Sequence, residues 1–367
     1  MSEIIKTSLK DLSDEELSEL LERCGVAAFR ADQLRHWLYQ KWAADFSEMK
    51  NLPAALLGKL QAGYRVFTLQ AEETLTAEDG CVKWLSRLSD GNTVETVLIR
   101  APERATVCIS TQVGCQVRCV FCASGSKGLI RNLTTAEIID QVLLPCRYLE
   151  AKINNIVVMG MGEPLHNLDM LSRALDNLNA PDKFALGARH ITISTSGIVP
   201  GIRKLADLHR PWNLAISLHA TSDQQRAQII PPDYRYPLEE IISACQYHRQ
   251  QTNRMPTLEY ALLKSFNDSP EDAARLAALA ARLHAKINLI PCNPGPSRYQ
   301  APALAQCRAF LDRLIRAGAQ ATLRTRKGDA IKAACGQLRS GQTKDSSDLS
   351  YGNDSFSNGQ QGTLSDV

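Results

Sequence analysis

Beyond position 105, apolar residues fall into short runs separated by stretches with three- and four-residue spacing. The runs 106–112, 153–159, 190–196, 214–219, 258–263, 287–290 and 321–326 predict strands. The stretches 134–150, 167–179, 198–209, 237–251, 271–284 and 303–317 predict helices. Thr134-x-x-Glu137 caps one of them, and Ser269-Pro270 opens another with proline in its first turn. Strands alternating with helices imply an α/β fold with a parallel sheet and helices outside. About six units fall short of the eight of a closed TIM barrel, so a partial (β/α) TIM-like barrel is expected, with ligands at the carboxyl ends of its strands.

Upstream the pattern changes. Residues 8–24 form an acidic amphipathic helix, with a capping box at Ser13 and Glu16 and a stripe of Leu17, Leu20 and Leu21. Residues 23–65 carry seven Lys or Arg against three acids. There Arg30, Arg35, His36, Trp37, Tyr39, Lys41 and Trp42 mix bases with rings. Such a mixture suits an RNA-facing surface; for the bases a plain helical bundle is as good a reading, and for the tryptophans a place in the bundle core is the favoured one. Residues 81–88 and 93–99 alternate around Asp90-Gly91 and predict a β-hairpin. Glu95, on its second strand, reads as a solvated acid. Residues 339–367 are nearly free of apolar side chains and predict a disordered tail. The expected divisions are therefore a helical segment 1–75, a hairpin extension 76–103, a barrel 104–338 and the tail 339–367.

Composition narrows the setting. With 44% hydrophobic residues, 367 residues support a substantial core. A net charge of +3 does not by itself point to a polyanion. Eleven scattered cysteines do not form a secreted disulfide framework. Residues 1–22 hold seven acids and no apolar leader, and no apolar run approaches membrane-spanning length. A reduced, cytoplasmic protein without a membrane partner is expected.

The candidate chemistry centres on Cys115, Cys119 and Cys122, spaced C-x-x-x-C-x-x-C after the first barrel strand. Three thiolates on one short loop suit three irons of a cube and leave a fourth open. Three buried thiols, or a zinc site with a distant fourth ligand, are the plainer alternatives. Other polar groups fall at predicted strand ends: Met159 to Pro164 (M-G-M-G-E-P), Ser194, Ser217-Leu218-His219 and Asn293. Cys108 precedes the loop, and Cys335 follows the last strand. On their own these two are simply buried thiols.

The cysteine spacing resembles the radical S-adenosylmethionine (SAM) superfamily, and M-G-M-G-E-P resembles its SAM-amine motif. More specifically, the chain resembles bacterial radical SAM RNA methyltransferases acting on carbon 2 or carbon 8 of adenine. It is most similar to the dual-specificity carbon-2 enzymes of 23S rRNA and tRNA. Phe29-Arg30-Ala31-x-Gln33, Thr93 to Val97, Arg131 to Thr134, Ser194 to Gly197, Ile216 to Ala220, Asn288 to Pro291 and Ala333 to Leu338 carry the likeness, which spans about residues 8–338. It implies a radical SAM core at 104–338, a [4Fe–4S] cluster on Cys115, Cys119 and Cys122, and SAM bound by Gly162, Glu163, Ser194, Ser217, Leu218, His219 and Asn293. It further implies Cys335 as the methyl-carrying nucleophile, Cys108 as its resolving thiol through a transient disulfide, and Glu95 as proton acceptor. The implied partners are 23S rRNA, tRNA and a flavodoxin-like electron donor, with the enzyme a monomer. Carbon-8 methylation, or a non-catalytic iron–sulfur RNA-binding role, are the alternatives. Ala330, Asp233 and Cys292 depart from the family pattern.

Overall fold

The computed structural model describes residues 6–293, 299–324 and 327–338. The expected tail at 339–367 lies outside the described residues.

The amino-terminal segment contains α1 (Asp14–Arg23), α2 (Phe29–Arg35) and α3 (Ala54–Gly63), with the short parallel pair β1 (Thr7–Ser8) and β2 (Tyr64–Arg65). The Ser13–Glu16 capping box forms, and Leu17, Leu20 and Leu21 are buried. The segment has no separate core. Leu9, Leu34, Leu60 and Leu69 belong to the same apolar cluster as Ile138, Ile156 and Leu171.

A ten-stranded sheet follows. Its members are β3 (Gln70–Thr76), β4 (Val82–Arg87), β5 (Thr93–Ala101), β6 (Arg104–Cys108), β9 (Asn155–Val158), β10 (Ile191–Thr195), β11 (Asn213–Ser217), β12 (Thr257–Leu262), β13 (Lys286–Pro291) and β14 (Ala321–Leu323). The order is β14-β13-β12-β11-β10-β9-β6-β5-β4-β3. From β6 to β14 every pairing is parallel, and β5, β4 and β3 extend the sheet antiparallel beyond β6. The sheet does not close on itself. Both edge strands are modest: β14 has three residues, and β3 is mostly exposed with a bulge between Ala71 and Glu73.

The connecting helices are α4 (Thr135–Leu149), α5 (Leu168–Asn179), α6 (Val199–Asp207), α7 (Asp223–Ile229), α8 (Leu238–Thr252), α9 (Pro270–Leu283) and α10 (Leu304–Arg316). Thr134 and Ser269 cap α4 and α9 as their sequences predict.

Three expectations need correction. Residues 70–75, assigned to the helical segment, belong to β3, which pairs antiparallel with β4 from Gln70–Arg87 to Thr76–Val82. The single strand at 106–112 is two: β6 stops at Cys108, and β7 (Gln112–Gly114) leaves the sheet to pair antiparallel with β8 (Leu129–Asn132). The break follows from Ser110, whose backbone N–H and C=O are taken by the Gln141 side chain at 2.8 and 3.0 Å. Helix α7 was not anticipated, although Ser222 caps it by accepting from Gln225 N.

Candidate active site

The residues singled out by sequence collect at the carboxyl ends of the parallel strands, around two cavities. The first, about 170 Å³, is lined by Cys115, Cys119, Cys122, Gly162, Glu163, Ser194, Ser217, His219, Asn293 and Cys335. The second, about 230 Å³, holds Cys108, Arg324, Lys327 and again Asn293 and Cys335. Cys335 therefore stands on the boundary of both. Leu218, buried between Ser217 and His219, lines neither. Glu95 lines neither.

The cysteine loop is held by backbone bonds. Cys115 N donates to Gly128 O at 3.0 Å, Val120 N to Ile229 O at 3.1 Å, and Cys122 N to Cys119 O at 3.0 Å. A Cβ on Gly125 would lie 2.7 Å from Arg118 Cα, so only glycine permits this turn. Val117 is buried with Ile229, Ile230 and Leu263, and Cys115 and Cys119 pack against that cluster. Burial pushes the Cys115 thiol up to about 12 and Cys119 well above its ordinary value. Such thiols keep their protons until a metal takes the charge. Among the described residues no three side chains are arranged for a single metal ion. A cube takes one thiolate per iron, so three thiolates facing one cavity fit it better than a zinc ion.

The SAM-motif loop is zipped to the turn after β6. Gly160 N donates to Ile109 O at 3.0 Å, Met161 N to Ser110 Oγ at 2.9 Å, and Glu163 N to Gln112 Oε1 at 2.9 Å. Glu163 is buried, and its carboxylate accepts from Ser196 N at 2.8 Å, Ser196 Oγ at 2.9 Å and Leu165 N at 3.1 Å. Thr195 adds a further side-chain hydrogen bond, so the carboxylate is held fixed at the cavity wall, where its charge can attract a ligand ammonium. Burial raises the Glu163 pKa, and these donors oppose the rise.

On the next strands Ser194 Oγ and Ser217 Oγ share a hydrogen bond of 3.0 Å. His219 adopts φ +54°, accepts from Ala261 N at 3.0 Å through Nδ1, and meets the Phe121 ring edge-on. Burial lowers it to about 3, so it is a neutral imidazole. Asn293 Nδ2 donates to Cys335 O at 3.1 Å, while its Oδ1 is buried with no hydrogen-bond partner among the described residues. A buried unpaired acceptor beside the cavity is what a bound ligand would satisfy.

Cys335 lies on a strap, residues 327–338, that crosses from β14 to the cysteine loop. Ala123 N donates to Gly336 O at 2.8 Å, and Ser124 Oγ to Leu338 O at 2.6 Å. Arg324 Nη1 is 3.9 Å from Cys335 Sγ. Burial raises both Cys335 and Cys108, the latter to about 12, and the Arg324 charge opposes each rise. All eleven cysteines are free thiols.

Several supporting residues carried no sequence signal. Arg226 is fully buried and donates to Leu218 O at 3.0 Å and Ser196 O at 2.9 Å, joining two lining segments. Asn267 Nδ2 holds His219 O at 2.8 Å. Glu95 is not solvated as expected: it is buried and paired with Lys83 at 3.0 Å. Of the departures, Cys292 lines the first cavity, while Asp233 and Ala330 are exposed. In the helical segment Arg30 bonds Gln33, Arg35 bonds Asp14 and Asp32, and Trp37 bonds Asn51.

The chain matches two family models: the ribosomal RNA large subunit methyltransferase N-terminal domain over residues 7–66, and the radical SAM superfamily over residues 109–277. A probable dual-specificity RNA methyltransferase RlmN of Petrotoga mobilis is 42% identical over 341 residues, covering 92% of this chain and 98% of that protein. This chain belongs to the RlmN family of radical SAM RNA methyltransferases. The RlmN of Syntrophotalea carbinolica is 42% identical over 342 residues, 92% of this chain and 91% of that protein. A radical SAM methyltransferase structure from Sphaerobacter thermophilus superposes with a TM-score of 0.87 at 41% identity, covering 91% of this chain and 99% of that one. The RlmN family uses a [4Fe–4S] cluster and SAM, and the open α/β sheet seen here is the radical SAM fold.

Proposed function

We propose that this chain methylates carbon 2 of adenine in 23S rRNA, at the peptidyl-transferase centre, and in tRNA, at the adenosine 3′ of the anticodon. The observation that carries the proposal is the position of Cys335 between the SAM-motif cavity and the cavity containing Cys108. Cys115, Cys119 and Cys122 would hold the cluster, and Gly162, Glu163, Ser194, Ser217, Leu218, His219 and Asn293 would hold SAM. The bound cofactors supply the electron and the radical that take hydrogen from an S-methyl group.

The residues do the remaining work. The Cys335 thiolate takes the methyl group of a first SAM, which would leave as S-adenosylhomocysteine, beside the Arg324 charge that favours the thiolate. After the activated carbon bonds to the ring, Glu95 accepts the proton lost from carbon 2. The Cys108 thiolate then attacks Cys335 Sγ. A disulfide forms and the sulfur–carbon bond breaks; its electron pair with one proton completes the methyl group, and the unpaired electron left on the ring would pass back to the bound cluster. An external flavodoxin-like donor resets the system. The enzyme acts as a cytoplasmic monomer. Among the described residues no helix is long and apolar enough to cross a membrane.

Alanine variants test the roles. Cys108→Ala should accumulate protein covalently linked to RNA, seen as a nuclease-sensitive shift on a denaturing gel. Cys335→Ala should form none, and the double variant none. A shift from Cys335→Ala would reverse the assignment. Chromatographic separation and mass spectrometry of nucleosides should give 2-methyladenosine; 8-methyladenosine would overturn the carbon-2 reading.

A further inference from the structure

Lysine is almost never fully buried unless something pairs with it. Lys83, on β4, is buried with its side chain about 10% exposed. Its Nζ is 3.0 Å from Glu95 Oε1 and donates to Lys332 O at 3.3 Å. Val97 is the cross-strand partner of both Lys83 and Cys108. Directly opposed residues share a face, so Lys83, Val97 and Cys108 rise from one side of the sheet, with Glu95 two residues from Val97 on that side too. Ile99, next on that face, lines the second cavity with Cys108 and Cys335.

The second contact is on the strap. Lys332, at φ +49°, lies three residues before Cys335. The same end of the strap is tied to the sheet extension by Gly328 N to Asp79 Oδ2 at 2.7 Å and Lys327 Nζ to Arg100 O at 2.5 Å. One ammonium thus touches both the carboxylate proposed as proton acceptor and the segment that carries the methylated sulfur. A purely packing role would be met by an apolar side chain without the cost of burying a charge.

We infer that Lys83 is a positioning residue that keeps the Glu95 carboxylate and the Cys335 strap in one register for removal of the ring proton. The inference rests on the proposed reaction. Lys83 supplies a counter-charge to Glu95, and only the carboxylate form accepts a proton. Its bond to Lys332 O fixes the strap relative to that carboxylate.

The test uses cluster-loaded protein with Cys108 intact. In Lys83→Met, proton removal should slow roughly 100-fold, the lower range of what a positioned base supplies, so the RNA adduct accumulates. Lys83→Arg, which keeps the charge and donors, should return the adduct toward the wild-type level. As a readout apart from turnover, amide exchange in peptides covering 327–338 should quicken about tenfold in Lys83→Met, the effect of one lost hydrogen bond from a charged group, and revert in Lys83→Arg. Cys108→Ala serves as the control. If it forms no adduct, the reaction itself is misread and the inference goes with it. If it forms adduct while Lys83→Met stays at the wild-type level, the reaction stands and Lys83 has no such role. Adduct in Lys83→Met that Lys83→Arg does not reduce would also overturn the inference.

Discussion

Replacing Lys10 by Met should cost about 3–4 kcal/mol of stability, although Lys10 lies far in sequence from any proposed catalytic residue. Lys10 and Asp140 are both fully buried, with Nζ 2.8 Å from Asp140 Oδ1. Lys10 also donates to Val66 O, and its ammonium lies 5.3 Å from the centre of the Phe67 ring. Asp140 Oδ2 accepts from Thr68 N at 2.8 Å and Thr68 Oγ1 at 2.7 Å. Removing one member of a buried pair costs roughly 3–5 kcal/mol because the other charge stays buried. The two Thr68 donors keep Asp140 partly satisfied and place the loss near the lower limit. The lost bond to Val66 O adds about 1 kcal/mol. With a urea slope near 3 kcal/mol/M, the unfolding midpoint should fall by about 1 M. Lys10→Met/Asp140→Leu leaves no buried charge and should recover much of the loss. A single-variant loss below about 1 kcal/mol, or a double variant worse than the sum of the singles, would refute the reasoning.

Three other outcomes are expected. As pH falls through the raised pKa of Glu163, its carboxyl takes up a proton and loses its hold on an ammonium, so SAM affinity should fall; equilibrium dialysis of Glu163→Gln should show affinity at least about tenfold lower and nearly flat with pH. Arg226→Met leaves Leu218 O and Ser196 O without their buried donor and should cost roughly 2–4 kcal/mol, with a smaller thermal shift on adding SAM as the readout. In Gly160→Ala the new Cβ would sit 2.6 Å from Ser110 Oγ and 2.7 Å from Ile109 O, so the SAM-motif loop must move and SAM binding should be lost in the same dialysis.

Much of the barrel was legible because its signals are local. Alternation, helical spacing and caps such as Thr134–Glu137 depend on neighbours within a few residues, and all six predicted barrel helices form. Strand ends followed from the elements, which placed Glu163, Ser194, Ser217 and Asn293 on one rim. What escaped depends on side chains meeting distant backbone. Gln141 ends β6 from across 31 residues, and Arg226 reaches Ser196 from 30 residues away. Glu95 looked solvated because its strand alternates in type, yet Lys83 and the strap cover it. The helical segment looked separable because its helical pattern and basic stretch end before the hairpin begins. Its leucines, however, enter the common core, and Asp140 on α4 grips Lys10 and Thr68.

An open barrel has two raw margins, each able to template pairing with another chain. Here the antiparallel extension carries one margin away from β6 to β3, whose sequence Gln70-Ala71-Glu72-Glu73-Thr74-Leu75-Thr76 places two acids and a bulge on the border. The other margin is only three residues long. Neither offers the long, flat, apolar ribbon on which aggregates grow. Among the described residues, the reactive rim thus sits on a sheet that stays open while both of its margins are short or acidic.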